Sequence, residues 1–347
     1  MEKVKQPKKK HVNKNIKKHW TTALKFGISI AILWYLFDKP EQREQFKTFF
    51  STPKQWGWIA FAFGACFVAH VIGFLRWRVM VKALGLPFTV MDAVRIGFIG
   101  LFFNLVAFGV LGGDTLRAFY VTRQMKDRAP EAISSVVADR VIGLLTMFLV
   151  ASCAYLLFDK STLDVEQAAA VNLVGKAALT VTAIGFGGVS LLFLTPQLAA
   201  TQWYQRLLEL PKVGEIGKRL TSVVMMYRSQ PGTVLLSFIM SVGVNVGFAV
   251  TIYTMACGLT DSFPSFPNHF LIEPISMVSN AVPLPGGIGG MEAALSLFYQ
   301  AFNCDTGLLV ALGFRLSLFA VSAIGAAFWF MNRSKVAEAI EATTAAE

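Results

Sequence analysis

The sequence has little charge and few cysteines or histidines. Charged residues make up 15% of its 347 positions, whereas a soluble domain has about 25%. The four cysteines and four histidines are scattered along the chain, without a CxxC pair or the spacing of metal ligands. These shortages argue against a soluble enzyme and predict neither a disulfide framework nor a metal site.

Signatures of nucleotide binding and catalysis are also missing. The glycine-rich stretch from Gly286 to Gly290 lacks the Lys-Ser/Thr of a P-loop and does not follow a strand in a βαβ unit. The sequence contains no Ser-His-Asp pattern and no paired-acid motif such as DxD or DDxxD. We therefore expect no catalytic residues, no cofactor and no ATPase within the chain.

Apolar residues, by contrast, are abundant. They form 54% of the chain, the mean hydropathy is +0.55, and several apolar runs are long enough for a helix to cross a bilayer. No segment alternates as a transmembrane β-strand does. The sequence predicts an all-α polytopic membrane protein with about six full transmembrane helices. The predicted spans cover residues 20–37, 56–75, 141–158, 171–194, 233–258 and 307–331.

Two further apolar regions are interrupted. Residues 94–112 end in a Gly-Val-Leu-Gly-Gly run, and residues 270–303 contain two prolines and four glycines between Val282 and Gly290. A broken helix is tolerated in hydrocarbon only where protein or a water-filled cavity shelters its backbone groups. We interpret both regions as re-entrant helical hairpins at a binding site.

The distribution of positive charge sets the predicted topology. With both hairpins re-entrant, the segments on one side hold 24 Lys and Arg residues and those on the other side hold 5. The basic side is cytoplasmic, which predicts a plasma-membrane protein with both termini in the cytoplasm and an uncleaved first helix. The net charge of +11 is thus explained by loops and does not predict a nucleic-acid partner. The basic segments are 1–19, 76–95, 114–140, 195–232 and 332–347.

The predicted spans and hairpins divide into two similar halves. Half one covers about residues 20–158 and half two about 171–331, within one transmembrane domain of residues 20–331. Each half has three crossings and one hairpin, which indicates an inverted-topology repeat. Residues 195–232 form a basic amphipathic connection at the cytoplasmic interface or a soluble helical hairpin. Residues 1–19 and 332–347 are predicted to be cytoplasmic, and small residues at 185–188 suit a homo-oligomer contact.

Three arginines are the candidate ligands for an anionic substrate. Arg117 follows the first glycine run and either binds a phosphate together with helix N-termini or anchors the interface. Arg140 follows Asp139 and either pairs with it or faces a cavity. Arg315 lies within an apolar span, where a lone arginine costs at least a few kcal/mol, so it needs a partner such as Glu292 or Glu273.

Glycine, asparagine and acidic residues complete the candidate site. Asn104 and Asn280 either bond backbone groups that are freed where the helices break or contact the substrate directly, and the structural role is favoured. Asp114 is expected to cap a short helix, and it is a candidate for proton coupling together with Glu273 and Glu292. The glycines expected at the substrate are Gly112, Gly113, Gly286, Gly287, Gly289 and Gly290.

Four motifs carry a resemblance to a known family. Pro-Gly-Gly-Ile-Gly-x-x-Glu ends at Glu292, Gly-Gly-Asp-x-x-Arg ends at Arg117, Asp-Arg-x-x-Gly-Leu ends at Leu144, and Phe-Leu-Arg-Trp-Arg ends at Arg78. In their order along the chain they resemble the lysylphosphatidylglycerol synthase transmembrane-region family over residues 20–331. The sequence departs from the family where Val106-Ala-Phe-Gly-Val110 stands in place of a segment that often contains proline.

The resemblance implies a flippase-like integral membrane protein. The chain ends soon after its last predicted span, so we expect a stand-alone member without the synthase domain. The implied partners are membrane lipids with an anionic or lipid-phosphate head group, and the implied function is their translocation across the cytoplasmic membrane. Two alternatives stay open: a membrane-embedded transferase that uses a polyprenyl-phosphate donor, and a non-transporting scaffold for a lipid-modifying enzyme.

Overall fold

A computed structural model describes residues 27–331, except for 52, 107–110, 125–127, 158–163, 195–196, 198–200, 210–212 and 281–286. The predicted breaks at 107–110 and 281–286, the N-terminal segment and the C-terminal tail lie outside the described residues. Within the described ranges the chain is helical, without strands. This agrees with the predicted all-α class.

Thirteen α-helices follow one another along the described part of the chain, with a short 3₁₀ helix at Phe266–Asn268. In order they are α1 (Gly27–Asp38), α2 (Pro40–Ser51), α3 (Trp56–Ala83), α4 (Val90–Val106), α5 (Leu111–Gln124), α6 (Ala129–Leu157), α7 (Val165–Leu194), α8 (Gln202–Leu208), α9 (Val213–Tyr227), α10 (Pro231–Leu259), α11 (His269–Asn280), α12 (Gly290–Gln300) and α13 (Gly307–Met331).

Five of these helices are long and apolar enough to cross a membrane: α3, α6, α7, α10 and α13. They correspond to five of the six predicted spans. The first predicted span, 20–37, begins outside the described residues, and its described part is the short apolar helix α1. Large apolar side chains such as Trp34, Leu235 and Phe319 are exposed on these helices, as expected where lipid replaces water as the solvent.

Two long helices continue well beyond the predicted spans. Helix α3 runs to Ala83 instead of residue 75, and α6 begins at Ala129 instead of residue 141. The predicted spans end near Arg76 and Arg140 because these charges lower the local hydropathy. The helices continue through both positions, since each guanidinium has a carboxylate partner inside the protein.

The two interrupted apolar regions each contain a pair of short helices. In the first hairpin, Gly97 of α4 contacts Arg117 of α5, while Asn104 contacts Gly113. This pairing of early with late residues makes α4 and α5 antiparallel. In the second hairpin, α11 and α12 are antiparallel because His269 at the start of α11 contacts Tyr299 at the end of α12.

The hairpins pack around a central helix, α13. In its most apolar 18-residue window 61% of the residues are buried, against 18% to 33% in the other four long helices. The α4 ring of Phe98 stacks on Phe328 of α13, with ring centroids 6.2 Å apart. Helix α11 in turn packs on α6 and α7, where Leu271 joins Tyr155 and Val171 in one apolar cluster.

Helices α8 and α9 form the connection between the two halves. Their side chains meet at the hydroxyls of Tyr204 and Thr221, which are 2.6 Å apart, so the two helices pack on each other. The pair also docks on the membrane domain, because Tyr227 donates a hydrogen bond to the Met80 carbonyl at 2.9 Å. Burial, with a smaller contribution from the Asp139 charge, raises the pKa of the Tyr227 hydroxyl, which keeps it a donor.

Candidate functional site

The first hairpin closes at a contact between two glycines. A Cβ atom added to Gly113 of α5 would lie 1.9 Å from the carbonyl oxygen of Gly100 on α4. Only a residue without a side chain permits this approach. The Gly113 N–H, in the first turn of α5, donates to Asn104 Oδ1 at 2.8 Å, which supplies a partner that the helix itself cannot. The predicted role of Asn104 in bonding a freed backbone group is confirmed.

An Asn104→Leu variant is expected to lose about 1–3 kcal/mol of stability, because the Gly113 N–H is left without its acceptor. Thermal unfolding of the detergent-purified protein measures the loss as a lower midpoint. Asn104→Asp keeps an oxygen at the same place and is the matched variant, expected to lose less. Equal midpoints for the Leu and Asp variants would show that the hydrogen bond is unimportant.

Three arginines and two aspartates converge beside the first hairpin, and we call them the arginine cluster: Arg76, Arg117, Arg140, Asp114 and Asp139. Arg140 forms an ion pair with Asp114. Arg76 donates to Asp139 Oδ1 at 2.8 Å and to Ser241 Oγ of α10 at 2.6 Å. The alternative in which Asp139 pairs with Arg140 is therefore wrong. Neighbouring residues on a helix point in different directions, and Asp139 faces α3 while Arg140 faces α5.

Arg117 is the third cation of the cluster and has the weakest contacts. It is buried, with Nη1 3.8 Å from Asp114 Oδ1 and Nη2 3.4 Å from the Gly97 carbonyl oxygen. Its guanidinium carbon lies 5.4 Å from the Phe74 ring centroid and 5.7 Å from that of Trp77, within the range of cation–π attraction. Its Nε has no hydrogen-bond partner among the described residues. The cluster thus holds one positive charge more than its carboxylates balance.

Asp114 has a different role from the one predicted. Helix α5 begins at Leu111, so Asp114 lies inside the first turn and does not cap the helix. Gly112 lies in that turn as well. The Asp114 carboxylate is instead shared by Arg140 and, more distantly, Arg117. A negative charge in the first turn is also favoured by the helix dipole.

The second hairpin contains a buried ion pair between Glu292 and Arg315. Arg315 Nε lies 2.6 Å from Glu292 Oε1 and Nη2 lies 3.0 Å from Oε2, a bidentate geometry that is strong and directional. Nη2 also donates to the Gly287 carbonyl at 3.0 Å, and Glu292 Oε2 accepts from the Gly289 N–H at 2.8 Å. Glu292, one of the two partners that the sequence suggested for Arg315, is confirmed.

Two glycines of the second hairpin allow the backbone turn that precedes α12. Gly287 and Gly289 have positive φ angles of 67° and 100°, which glycine adopts without strain. Gly290 begins α12. Gly286 and the side chain of Asn280 lie outside the described residues, so their predicted roles stay predictions.

Glu273, the other suggested partner of Arg315, is not bonded to it. Its side chain is 1% exposed, and neither carboxylate oxygen has a hydrogen-bond partner among the described residues. The Pro274 that follows it lies inside α11. Glu273 therefore stays a candidate for proton coupling, whereas Glu292 is held in an ion pair.

The two hairpins contain corresponding ion pairs, but the side chains of these pairs differ in exposure. In each, a carboxylate in the first turn of the second short helix pairs with an arginine of the next long helix. The side chains of Arg140 and Asp114 are 41% and 13% exposed, whereas those of Arg315 and Glu292 are 5% and 1% exposed. The first site can be reached from outside the protein, and the second is sealed.

Sequence reasoning missed Arg76 and Ser241 as members of the site. Arg76 was assigned to a cytoplasmic loop because the apolar run ends before it. Its position on α3, next to the Trp77 ring, brings it to Asp139 on α6. Ser241 lies on α10, 165 residues away. The only signal in the sequence was the Phe-Leu-Arg-Trp-Arg motif, which places an arginine directly after apolar residues.

No curated protein and no solved structure matches the chain. The model of the lysylphosphatidylglycerol synthase TM region matches residues 22–325. This range contains both hairpins, the arginine cluster and the Glu292–Arg315 pair. The chain is an integral membrane protein that belongs to the lysylphosphatidylglycerol synthase transmembrane-region family.

Proposed function

We propose that the protein translocates a lipid or lipid-linked substrate with an anionic head group across the cytoplasmic membrane. The observation that carries this proposal is the surplus positive charge of the arginine cluster, in which the buried Arg117 and the partly exposed Arg140 share Asp114. A buried charge without a counter-ion is costly, and an anionic head group would supply that counter-ion. The proposal assigns no catalytic residue and no cofactor.

The lengths of the hairpin helices support a re-entrant arrangement. Within the described residues, helices α4, α5, α11 and α12 have 17, 14, 12 and 11 residues. At a rise of 1.5 Å per residue they are about 17–26 Å long, shorter than the roughly 30 Å hydrocarbon core. Each hairpin would then enter and leave on one face, with its tip near the middle of the membrane.

The packing supports an inverted repeat. The first helix of each hairpin packs on the last long helix of the other half: α4 on α13, and α11 on α6. Helices α3 and α10, which correspond to each other in the two halves, pack extensively on one another. This reciprocal packing of each half on the other is expected when a two-fold axis relates the halves. That architecture is typical of transporters. With the charge-based topology, both termini would be cytoplasmic.

The mechanism follows from the contacts of Arg140. Its exposed guanidinium is held by Asp114, and a head-group phosphate would compete with Asp114 for the same N–H donors. Arg117, whose Nε has no partner, would then balance the added negative charge. The acyl or prenyl tail would stay in lipid along the apolar outer surface, so that only the polar head crosses between the hairpins.

An Arg117→Gln variant is expected to weaken binding of the anionic lipid roughly tenfold to a hundredfold, as loss of a hydrogen bond to a charged group does. It should still fold, because the two complete pairs Arg76–Asp139 and Arg140–Asp114 remain and the surplus charge is gone. The measurement is translocation in proteoliposomes of the purified protein. The labelled lipids are anionic, aminoacylated and polyprenyl-phosphate lipids.

The matched control is Arg219→Gln, the same change at an exposed position of α9. Selective movement of an anionic lipid by the wild type and the control, lost in Arg117→Gln, would support the proposal. Equal movement by all three proteins would refute the role of Arg117. Formation of a new lipid product without movement would favour the transferase alternative.

A further inference from the structure

The buried carboxyl of Glu273 is not used by the proposed head-group site. It lies in the middle of α11 without a hydrogen-bond partner among the described residues, although it is almost fully buried. A charged carboxylate in such surroundings is strongly disfavoured, so the neutral acid is the stable form there. A group that must hold a proton while buried can release it when a movement brings it to water.

The contact between His269 and Tyr299 shows which part of α12 lies opposite Glu273 on α11. His269 Nε2 is 2.8 Å from the Tyr299 hydroxyl, and His269 Nδ1 is 3.0 Å from the Ser265 carbonyl oxygen. Since a carbonyl only accepts, Nδ1 carries the hydrogen, and in the neutral ring Nε2 accepts from Tyr299. The imidazole and the phenol are therefore joined through one exchangeable proton.

Helical spacing extends this contact into a strip of polar residues. Glu273 lies four residues after His269 on α11, and Ser296 lies three residues before Tyr299 on α12, so each shares a face with its partner. Because the helices are antiparallel, Glu273 and Ser296 are at the same level. The Ser296 hydroxyl is also buried without a partner among the described residues. One further turn along α12 lies Glu292.

A cleft adjoins the end of α12 where the strip ends. Its volume is about 360 Å³, and apolar and polar residues line it together: Leu297, Phe298, Ala301, Gln300, Asn303, Asp164 and Gln167. Tyr299 is fully buried and does not line this cleft. The charge-based topology places this end of the hairpin on the outer side of the membrane, so opening of the hairpin would admit water from that side.

Among the described residues, no titratable group on the helices packed against α11 is hydrogen-bonded to the Glu273 carboxyl. Glu292 is occupied by Arg315, Tyr155 donates to Asn172 Oδ1 at 2.8 Å, and Lys176 is exposed. The titratable groups on the helices that pack against α11 include Glu292 and Tyr299 of α12, Tyr253 and Cys257 of α10, Tyr155 and Cys153 of α6, and Asp164 and Lys176 at α7.

We propose that Glu273 is the proton-binding site that couples translocation to a proton gradient. In the conformation described here its carboxyl carries one proton, taken up from water when the hairpin is open. Opening of the α11–α12 hairpin would expose the acid to water, and the same proton would leave. This inference rests on the proposed function, because it names the energy source of that transport.

The first test of the proton site does not depend on transport. Dicyclohexylcarbodiimide, an apolar reagent, modifies protonated carboxyls in apolar surroundings. Peptide mass spectrometry should find Glu273 modified in the wild type, with less modification as the pH rises, and no modification at this position in Glu273→Gln. Glu215→Gln, a change at an exposed residue of α9, should leave the modification unchanged. Absence of modification at Glu273 in folded protein at every pH would overturn the proposal.

The second test measures coupling in proteoliposomes. An imposed proton gradient should accelerate movement of the anionic lipid by the wild type and by Glu215→Gln. Movement by Glu273→Gln should lose this dependence on the gradient. If the rate of lipid movement by the wild type is the same with and without the proton gradient, the coupling proposal is overturned and the translocase proposal stands. Absence of any lipid movement would instead count against the proposed function, and the carbodiimide result would still decide whether Glu273 binds a proton.

Discussion

An Arg315→Ala variant is expected to lose about 3–5 kcal/mol of stability, because removing one partner of a buried ion pair leaves the other charge uncompensated. Glu292 would be left buried, with only the Gly289 N–H as a donor among the contacts described. The tip of the second hairpin would also lose the bond from Arg315 to the Gly287 carbonyl. Thermal unfolding in detergent and the yield of folded membrane protein measure the effect.

Two controls separate the loss of charge balance from the loss of a side chain. The double variant Glu292→Gln/Arg315→Met removes both charges and should recover much of the stability, since replacing a complete buried pair is far less harmful than breaking it. Arg219→Ala, at an exposed position of α9, should unfold as the wild type does. A double variant as unstable as Arg315→Ala would mean that the pair is not the cause.

A Gly113→Val variant is expected to prevent closure of the first hairpin. The added Cβ would lie 1.9 Å from the Gly100 carbonyl oxygen and 2.5 Å from Asn104 Oδ1, so the backbones of α4 and α5 must separate. Overpacking typically costs about 1–3 kcal/mol, and more where the backbone cannot move. Since Asp114 follows Gly113 directly, its contact with Arg140 should be lost as well, together with transport of the anionic lipid.

The matched control is Gly64→Val on α3, where an added Cβ would meet no atom within 4 Å. Both variants change a helical glycine to the same β-branched residue, so they share the intrinsic effect on helix formation. The unfolding midpoint should fall clearly further for Gly113→Val. Similar midpoints and similar transport for the two variants would contradict the proposed close approach.

Parts of the candidate site could be predicted from the sequence because they follow from local rules. Arg315 stands alone in an apolar span, and the cost of an unpaired charge there required an acidic partner. Glu292 was one of two acids near enough along the chain, and the structure brings it to Arg315. The sequence offered Glu273 equally, because hydropathy does not reveal which face of a helix a residue occupies relative to another helix.

The arginine cluster could not be predicted from the sequence. Its members come from α3, α5 and α6, and Ser241 on α10 supports it from the second half of the chain. Asp139 and Arg140 are adjacent in the sequence, and one alternative paired them with each other. Adjacent residues on a helix point in directions about 100° apart, so Asp139 contacts α3 and Arg140 contacts α5. The surplus charge of Arg117 is a property of this assembly and of no single segment.

The sequence by itself determined the class of the protein and its long helices. Apolar runs of sufficient length must form helices in lipid, because each backbone group needs a partner within its own segment. It also predicted an interruption in each of two apolar regions, since glycine and proline act on the local backbone. Only the tertiary structure decided which carboxylate neutralises which arginine, which site is sealed and which acid is left without a partner. These outcomes depend on the packing of helices distant in the chain, where burial and charge pairing act between segments and leave no local pattern.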